Sequence, residues 1–233
     1  MHYTVIIPCH NEAKRLNLAA FRRFEAEHPE AALLFVDDGS TDATAACLAD
    51  FPVLHLEENV GKAEAIRRGI IATLALDAST EAFAFLDADL ATGLDELARL
   101  VGILAEKPRL AMVIGSRWPH LGAHIRRGAV RALAGRLMAW MIRLALGRPV
   151  YDTQCGAKVF RREAAWTLFG RPFHSCWLFD VELLLRLRGR VEEVPLRAWR
   201  EVGGSKLGLG AMLRAPFELA RIVWYASREG ASR

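Results

Sequence analysis

The sequence predicts an α/β fold with a mainly parallel, Rossmann-like sheet flanked by helices. Short apolar runs alternate with helix-length amphipathic segments through the first half of the chain, a pattern typical of repeated strand–helix units. Several of these runs end in polar clusters, as binding loops do at the carboxyl edge of an open parallel sheet. The 233 residues are enough for one such domain with a sizeable core.

The elements of the first half follow from hydrophobic periodicity. Apolar runs place strands at 4–7, 33–36, 53–56, 82–86 and 111–114, and helical spacing places helices at 16–28, 42–50, 62–76 and 94–106. In the second half, amphipathic helices are expected over about 126–146, 178–188 and 209–227, the first with arginines flanking its apolar stripe. Because no repeat or linker divides the chain, residues 1–233 are predicted to form a single domain.

Charge and cysteine usage narrow the class of partner. The net charge is +4, and no Asp or Glu lies between Lys107 and Tyr151, where arginine is abundant. That imbalance favours phosphates or an anionic membrane surface as partner. Nucleic acid is not expected, since the basic segment lacks an interleaved aromatic platform. The four cysteines form no C-x-x-C pair, so neither a zinc site nor a disulfide framework is predicted, and a reducing cytosol fits best.

The sequence predicts neither a signal peptide nor a spanning helix. The first residues form a strand-like run, and nowhere do 18 apolar residues follow one another without a charge. Membrane contact is therefore expected to be peripheral, at the inner, cytoplasmic face, through the apolar stripes of 126–146 and 209–227. The same stripes would equally complete the domain core or form a homodimer interface.

Two carboxylates, Asp87 and Asp89, follow the apolar run at 82–86. Hard divalent cations take oxygen ligands and are commonly held by a few carboxylates together with substrate phosphates. The pair therefore favours a metal site at a diphosphate. On this stretch alone, solvated turn residues or helix caps remain an alternative.

A second acidic pair, Asp37 and Asp38, follows the strand at 33–36. A glycine turn and a hydroxyl helix cap would explain residues 39–41 but do not require two acids before them. The carboxylates could accept hydrogen bonds from a base N–H or from ribose hydroxyls. Lys62 opens the next predicted helix, where the dipole disfavours a cation, so an anion such as phosphate is expected nearby unless the lysine is solvated.

Further polar residues lie where the same edge is expected. Arg117 ends the fifth predicted strand and presents a planar fork suited to phosphate oxygens. Asp152 begins a polar stretch, 152–158, that is interpreted as an active-site loop. Asp180 stands at the head of a predicted helix, where it either complements the dipole or faces the cleft. The glycine-rich stretch 203–206 is predicted to close over a diphosphate.

Together these motifs resemble family 2 glycosyltransferases of the GT-A fold, in the branch that makes polyprenyl-phosphate sugars. The matching residues are Pro8, Asn11-Glu12, 36–42, Asn59-Val60-Gly61-Lys62 and Asp87-Ala88-Asp89, followed by 152–160, 179–184 and 204–207. The later motifs are most similar to dolichyl-phosphate β-glucosyltransferases, and Ala91 stands where mannosyl relatives often carry Gln. The resemblance implies a nucleotide-sugar-binding half, 1–117, and an acceptor-binding half, 118–233, with amphipathic helices.

The resemblance also implies roles for individual residues. Asp37 would bind the nucleobase and Asp38 the ribose region, in a pocket lined by Pro8, Asn11 and Glu12, while Asp87 and Asp89 would hold Mg²⁺ or Mn²⁺. Lys62 and Arg117 would meet phosphate oxygens, Arg127 and Arg131 would face a lipid phosphate, and Ser205 and Lys206 would belong to the closing loop.

The reaction implied is inverting transfer of a hexose from a UDP-sugar, glucose being favoured, onto a polyprenyl phosphate, with Asp89 and Arg117 acting on the leaving diphosphate. GDP-mannose as donor or a sugar hydroxyl as acceptor remain alternatives. A hydroxyl acceptor would need a carboxylate base, for which Asp180 and Asp152 are candidates. A non-catalytic scaffold that binds nucleotide sugars is the competing class, but a scaffold would not need a metal site.

Overall fold

The computed structural model describes residues 1–118, 124–126, 142–144, 147, 150–200 and 209–231. In the first half strands and helices alternate as β1 Tyr3–Cys9, α1 Leu18–Glu27, β2 Ala31–Asp38, α2 Thr44–Cys47, β3 Val53–Leu56, α3 Lys62–Leu76, β4 Ala82–Phe85, α4 Leu94–Glu106 and β5 Leu110–Ser116. They are followed by β6 His124–Arg126, β7 Lys158–Arg161, α5 Arg162–Phe169, α6 Phe179–Arg186, β8 Arg190–Pro195, β9 Ala198–Arg200 and α7 Leu209–Ala231.

Seven strands form one sheet in the order β3-β2-β1-β4-β7-β5-β8. All neighbours in it are parallel except β7, which runs antiparallel to both β4 and β5. The predicted mainly parallel sheet is thus confirmed, and the carboxyl ends of β1, β2 and β4 meet at one edge. The short strands β6 and β9 pair with each other outside this sheet.

The core lies on both faces of the sheet, which explains the continuous apolar strands. Each residue of β4 is buried, as expected for a strand covered on both sides. Helix α3 packs closely on β1 and β2 through Gly69, where an added Cβ would lie 2.9 Å from the methyl carbons of Ile6 and Val36. A glycine there brings the helix that carries Lys62 against the sheet.

A second, smaller apolar cluster joins helix α7 to the domain. Its buried residues are Ile142, Leu178, Val181, Leu219 and Ile222. The last predicted helix is therefore confirmed, although it extends to Ala231 rather than ending near 227. Within the described ranges, no helix has the length and apolarity needed to cross a membrane.

Two helix predictions differ from the structure. Helix α2 has four residues rather than nine, because the Asp42 carboxylate accepts the backbone N–H of Thr44 at 2.9 Å and forms a turn where the helix was expected to begin. The helix predicted from 126 was wrong at its start, since Arg126 pairs with Arg200 in a strand. Residues 142–144 are helical, and the rest of that predicted helix lies outside the described residues.

Candidate active site

The loop after β1 is fastened to the loop after β2 by Asn11. This residue has a φ of +56°, a left-handed conformation that asparagine tolerates better than most residues. Its Oδ1 accepts the backbone N–H groups of Thr41 and Asp42 at 2.8 and 3.2 Å. The neighbouring Glu12 is held as well, because its N–H donates to Thr44 Oγ1 at 2.8 Å and its carboxylate pairs with Arg15. Pro8 lies near the end of β1, in register with Val36 of β2.

The acidic pair at the end of β2 is buried and well partnered. Asp38 accepts the backbone N–H groups of Val60 and Gly61 at 2.8 and 2.9 Å, one on each carboxylate oxygen. Asp37 accepts the N–H of Ser40 at 3.2 Å. The second oxygen of Asp37 lies 3.3 Å from Nδ1 of His55, a more exposed ring that sequence reasoning missed. Asp38 therefore fixes the loop that leads to Lys62.

Gly39 is required by the turn after this pair. Its φ is +61°, and an added Cβ would lie 2.5 Å from the carbonyl carbon of Glu58. No side chain fits at that distance from backbone, so the loops after β2 and β3 can touch only because residue 39 is glycine. This close approach brings residues 58–61 beside the acidic pair.

Lys62 begins α3 and reaches the end of β4. Its ammonium donates to Oδ1 of Asp87, so the anion expected near this lysine is a carboxylate of the chain itself. Burial by itself lowers the pKa of Lys62, but the carboxylates of Asp87, Asp180 and Asp89 outweigh it and hold that pKa above its ordinary value. The first turn of α3 thus connects the acidic pair of β2 with that of β4.

Asp87 and Asp89 lie in the turn after β4. Asp89 accepts the N–H of Ala91 at 3.0 Å through one oxygen, and burial raises its pKa, opposed by that hydrogen bond. Gly156 leaves room for Asp87, since an added Cβ would lie 2.1 Å from Oδ2 of that carboxylate. The loop at 152–158 therefore lies directly beside Asp87.

The carboxylates of Asp87 and Asp89 are oxygen ligands of the kind that a hard divalent cation prefers. Among the residues described, no group of three or more His, Cys, Asp or Glu side chains is arranged to hold a metal ion. Two carboxylates supply only part of the oxygen ligands that Mg²⁺ or Mn²⁺ takes, so phosphate oxygens and water would supply the rest. This donor set is suited to a cation that arrives with a diphosphate.

Arg117 and Asp152 form a bidentate ion pair. Nε and Nη2 of the guanidinium each donate to one carboxylate oxygen at 2.7 Å, and the backbone N–H of Arg117 adds a third bond at 2.8 Å. Burial alone would lower the pKa of Arg117, but Asp152 raises it above its ordinary value. Glu193 in turn accepts the N–H groups of Tyr151 and Asp152. The two predicted site residues are thus joined to each other.

Sequence reasoning missed Lys158, which is fully buried. Its ammonium donates to Asp180 Oδ1 and to the carbonyl of Cys155, both at 2.6 Å, and lies 5.2 Å from the ring centre of Phe85. Burial raises the pKa of the Asp180 carboxyl, and the ammonium groups of Lys158 and Lys62 oppose that rise. A lysine inside an apolar strand was the available signal, because lysine is almost never fully buried unless paired.

The family model described as Glycosyl transferase family 2 matches residues 4–169, well over half of the chain. The chain is a family 2 glycosyltransferase. The enzyme is similar to curated proteins named dolichyl-phosphate β-glucosyltransferase. One from Trichomonas vaginalis is 32% identical over 97% of this chain and 72% of its own length, and the human protein is 30% identical over 88% and 69%.

Solved structures agree with the predicted GT-A fold of this glycosyltransferase. Glucosyl-3-phosphoglycerate synthase from Mycobacterium tuberculosis, in complex with Mn²⁺, uridine diphosphate and phosphoglyceric acid, gives a TM-score of 0.70 over 95% of this chain and 78% of its own. The sequence identity is 22%, so the likeness concerns the fold alone. The GT-A expectation is confirmed.

The glycosyltransferase structure brings most predicted site residues to one edge of the sheet. Arg127, Arg131, Ser205 and Lys206 lie outside the described residues, so their expected contacts with lipid phosphate and diphosphate stay predictions. Besides Lys158 and His55, sequence reasoning missed Arg15, which pairs with Glu12 and whose charge opposes the rise that burial causes in the pKa of Asp89.

Proposed function

We propose that this glycosyltransferase moves a hexose, with glucose favoured, from a UDP-sugar onto a polyprenyl phosphate at the membrane surface. One observation carries the proposal: the acids after β2 and those after β4 are connected through a single loop. Asp38 holds the N–H of Gly61, and the adjacent Lys62 contacts Asp87. A nucleoside at the first pair and a diphosphate at the second would then be placed by the same loop.

The donor would lie along this edge, in the half formed by residues 1–117. Asp37 would accept hydrogen bonds from the base, and Asp38 would shape the ribose region by holding the backbone of Val60 and Gly61. Asp87 and Asp89 would hold Mg²⁺ or Mn²⁺, with Lys62 beside the phosphates. When bound, such a cation neutralises the charge that grows on a departing diphosphate.

The choice of a phosphate acceptor rests on how the candidate bases are paired. Asp152 forms a bidentate ion pair with the Arg117 guanidinium, and Asp180 is buried and accepts a hydrogen bond from the Lys158 ammonium. Both carboxylates are therefore already engaged in bonds within the fold, whereas a general base must lie within hydrogen-bond reach of the acceptor proton that it takes. A polyprenyl phosphate needs no such base, since its oxygen is already anionic near neutral pH. That oxygen would attack the anomeric carbon as the bond to UDP breaks, inverting the configuration.

The described exposed apolar side chains support a peripheral position on a membrane. Of the seven large ones, Leu144, Phe217 and Trp224 lie on segments that contribute to the second apolar cluster, and Trp118 packs against Tyr151 with ring centres 5.4 Å apart. Arginines lie against two of these rings, Arg143 4.6 Å from Tyr151 and Arg228 3.9 Å from Trp224. Aromatic side chains interleaved with arginine suit the interface of an anionic leaflet. A homodimer through the same surface is the alternative.

The test is transfer of label into lipid. Purified protein is incubated with radiolabelled UDP-glucose or GDP-mannose, Mn²⁺ and undecaprenyl phosphate, and the lipid is extracted. We expect label from UDP-glucose in the organic phase only when Mn²⁺ is present. Label that stays aqueous with both donors would remove the lipid acceptor from the proposal. Absence of metal-dependent UDP-glucose hydrolysis as well would favour the non-catalytic scaffold.

A further inference from the structure

Lys62 contacts the carboxylate that the proposed function assigns to the cation. Its ammonium donates to Oδ1 of Asp87, and it is one residue away from Gly61, whose N–H Asp38 holds at 2.9 Å. Asp38 therefore fixes the backbone next to Lys62, while the side chain of Lys62 reaches Asp87, one of the two proposed metal ligands. A ligand in either place acts on the same residue.

Lys62 and a divalent cation would compete for the same carboxylate, Asp87. Its ammonium interacts with the carboxylates of Asp87, Asp180 and Asp89, and Asp180 is already paired with Lys158. A divalent cation bound by Asp87 and Asp89 would take the place of the ammonium on Asp87 and would repel it. The lysine side chain can leave, because it is a flexible stem carrying a point charge and is 40% exposed.

We propose that Lys62 couples cation binding to nucleotide diphosphate binding, which rests on the proposed use of a metal-bound nucleotide sugar. Without a diphosphate, the ammonium competes with the divalent cation for Asp87. A diphosphate beside the cation gives the ammonium another anion, so the competition ends. Coupling of this kind is reciprocal: the nucleotide raises the affinity for the cation by the same factor as the cation raises that for the nucleotide.

The experiment measures Mn²⁺ binding directly, by the electron paramagnetic resonance signal of free Mn²⁺, with and without UDP. In the wild-type protein we expect UDP to raise the Mn²⁺ affinity strongly. In Lys62→Met, affinity without UDP should rise about fivefold, the upper range for ion pairs between half-exposed groups. The ratio of the Mn²⁺ affinity with UDP to that without UDP should fall by at least the same factor. Lys62→Arg keeps the positive charge and should restore the wild-type pattern.

Lys107→Met is the matched control. Lys107 Nζ lies 2.7 Å from Glu192 Oε1, and the side chains are 49% and 34% exposed, close to the 40% and 38% of Lys62 and Asp87. Since this pair lies away from the acids of β4, its loss should leave both Mn²⁺ titrations unchanged.

The outcomes separate this proposal from the proposed function. If Lys62→Met weakens Mn²⁺ binding without UDP, or leaves the effect of UDP unchanged, the coupling is refuted. If the wild-type protein binds no Mn²⁺ even with UDP, both the metal assignment and the coupling fall. If coupling is intact but no label enters lipid, only the acceptor assignment falls.

Discussion

Replacing Lys158 by methionine should destabilise the fold more than any change of a surface charge. The ammonium is fully buried, donates to Asp180 and to the Cys155 carbonyl at 2.6 Å each, and lies over the Phe85 ring. Methionine has nearly the same length, so packing is largely kept while the charge is lost. Asp180 is then left as a buried carboxylate without its cation.

The expected loss follows from that geometry. Removing one partner of a buried ion pair costs about 3–5 kcal/mol, because the remaining charge is uncompensated. In a chain of this size each kcal/mol lowers the melting temperature by roughly 2–4 °C, so a fall on the order of 10 °C is expected. The free energy of unfolding is measured by urea titration with circular dichroism and tryptophan fluorescence.

Two variants make the result interpretable. Lys107→Met breaks an exposed pair with Glu192 and should cost no more than about 1 kcal/mol. The double variant Lys158→Met, Asp180→Leu removes both buried charges and should recover much of the lost stability, since an apolar pair can replace a buried ion pair. A loss below about 1 kcal/mol for Lys158→Met alone would refute the expectation that Asp180 is left as an uncompensated buried charge.

Three further predictions concern the site and the surface. Asp89→Asn should lower metal-dependent turnover by roughly a hundredfold or more while leaving the thermal unfolding curve unchanged; equal activity would remove the metal assignment. Gly156→Ala should displace Asp87 and weaken Mn²⁺ binding with UDP by roughly tenfold, whereas Gly102→Ala, whose added Cβ has open space, should leave it unchanged. A Gly156→Ala titration matching the wild type would contradict the close contact. Phe217→Ser, at a side chain 78% exposed, should keep stability but reduce co-sedimentation with phosphatidylglycerol vesicles roughly tenfold; undiminished binding would exclude α7 from the membrane contact.

The sequence was most informative where burial is continuous. The strands β1, β2, β4 and β5 are predictable because a parallel sheet covered on both faces needs unbroken apolar runs. Strand β8 escaped this reasoning, since it lies at the sheet edge and carries Glu192 and Glu193 among its residues. Strand β7, which lies between β4 and β5, was obscured by Lys158, a charge at the start of a buried strand. Only the fold supplies the partner of that lysine, which lies 22 residues further on.

In the site, the candidate acids could be identified from the sequence, but their ion-pair partners could not. The acids at 37, 38, 87 and 89 could be chosen from sequence as site candidates because they follow apolar strands. Asp152 could be chosen because it begins a polar stretch, and Asp180 because it stands at the head of a predicted helix. Which of them is held by a cation depends on the fold. Asp152 and Asp180 each meet a cation of the chain that is more buried than Lys62, the half-exposed partner of Asp87. The structure thus distinguishes two buried pairs, which suit positioning, from the half-exposed pair of Lys62 and Asp87. This difference is the physical reason for assigning the acceptor a phosphate and for assigning Lys62 the coupling between cation and nucleotide.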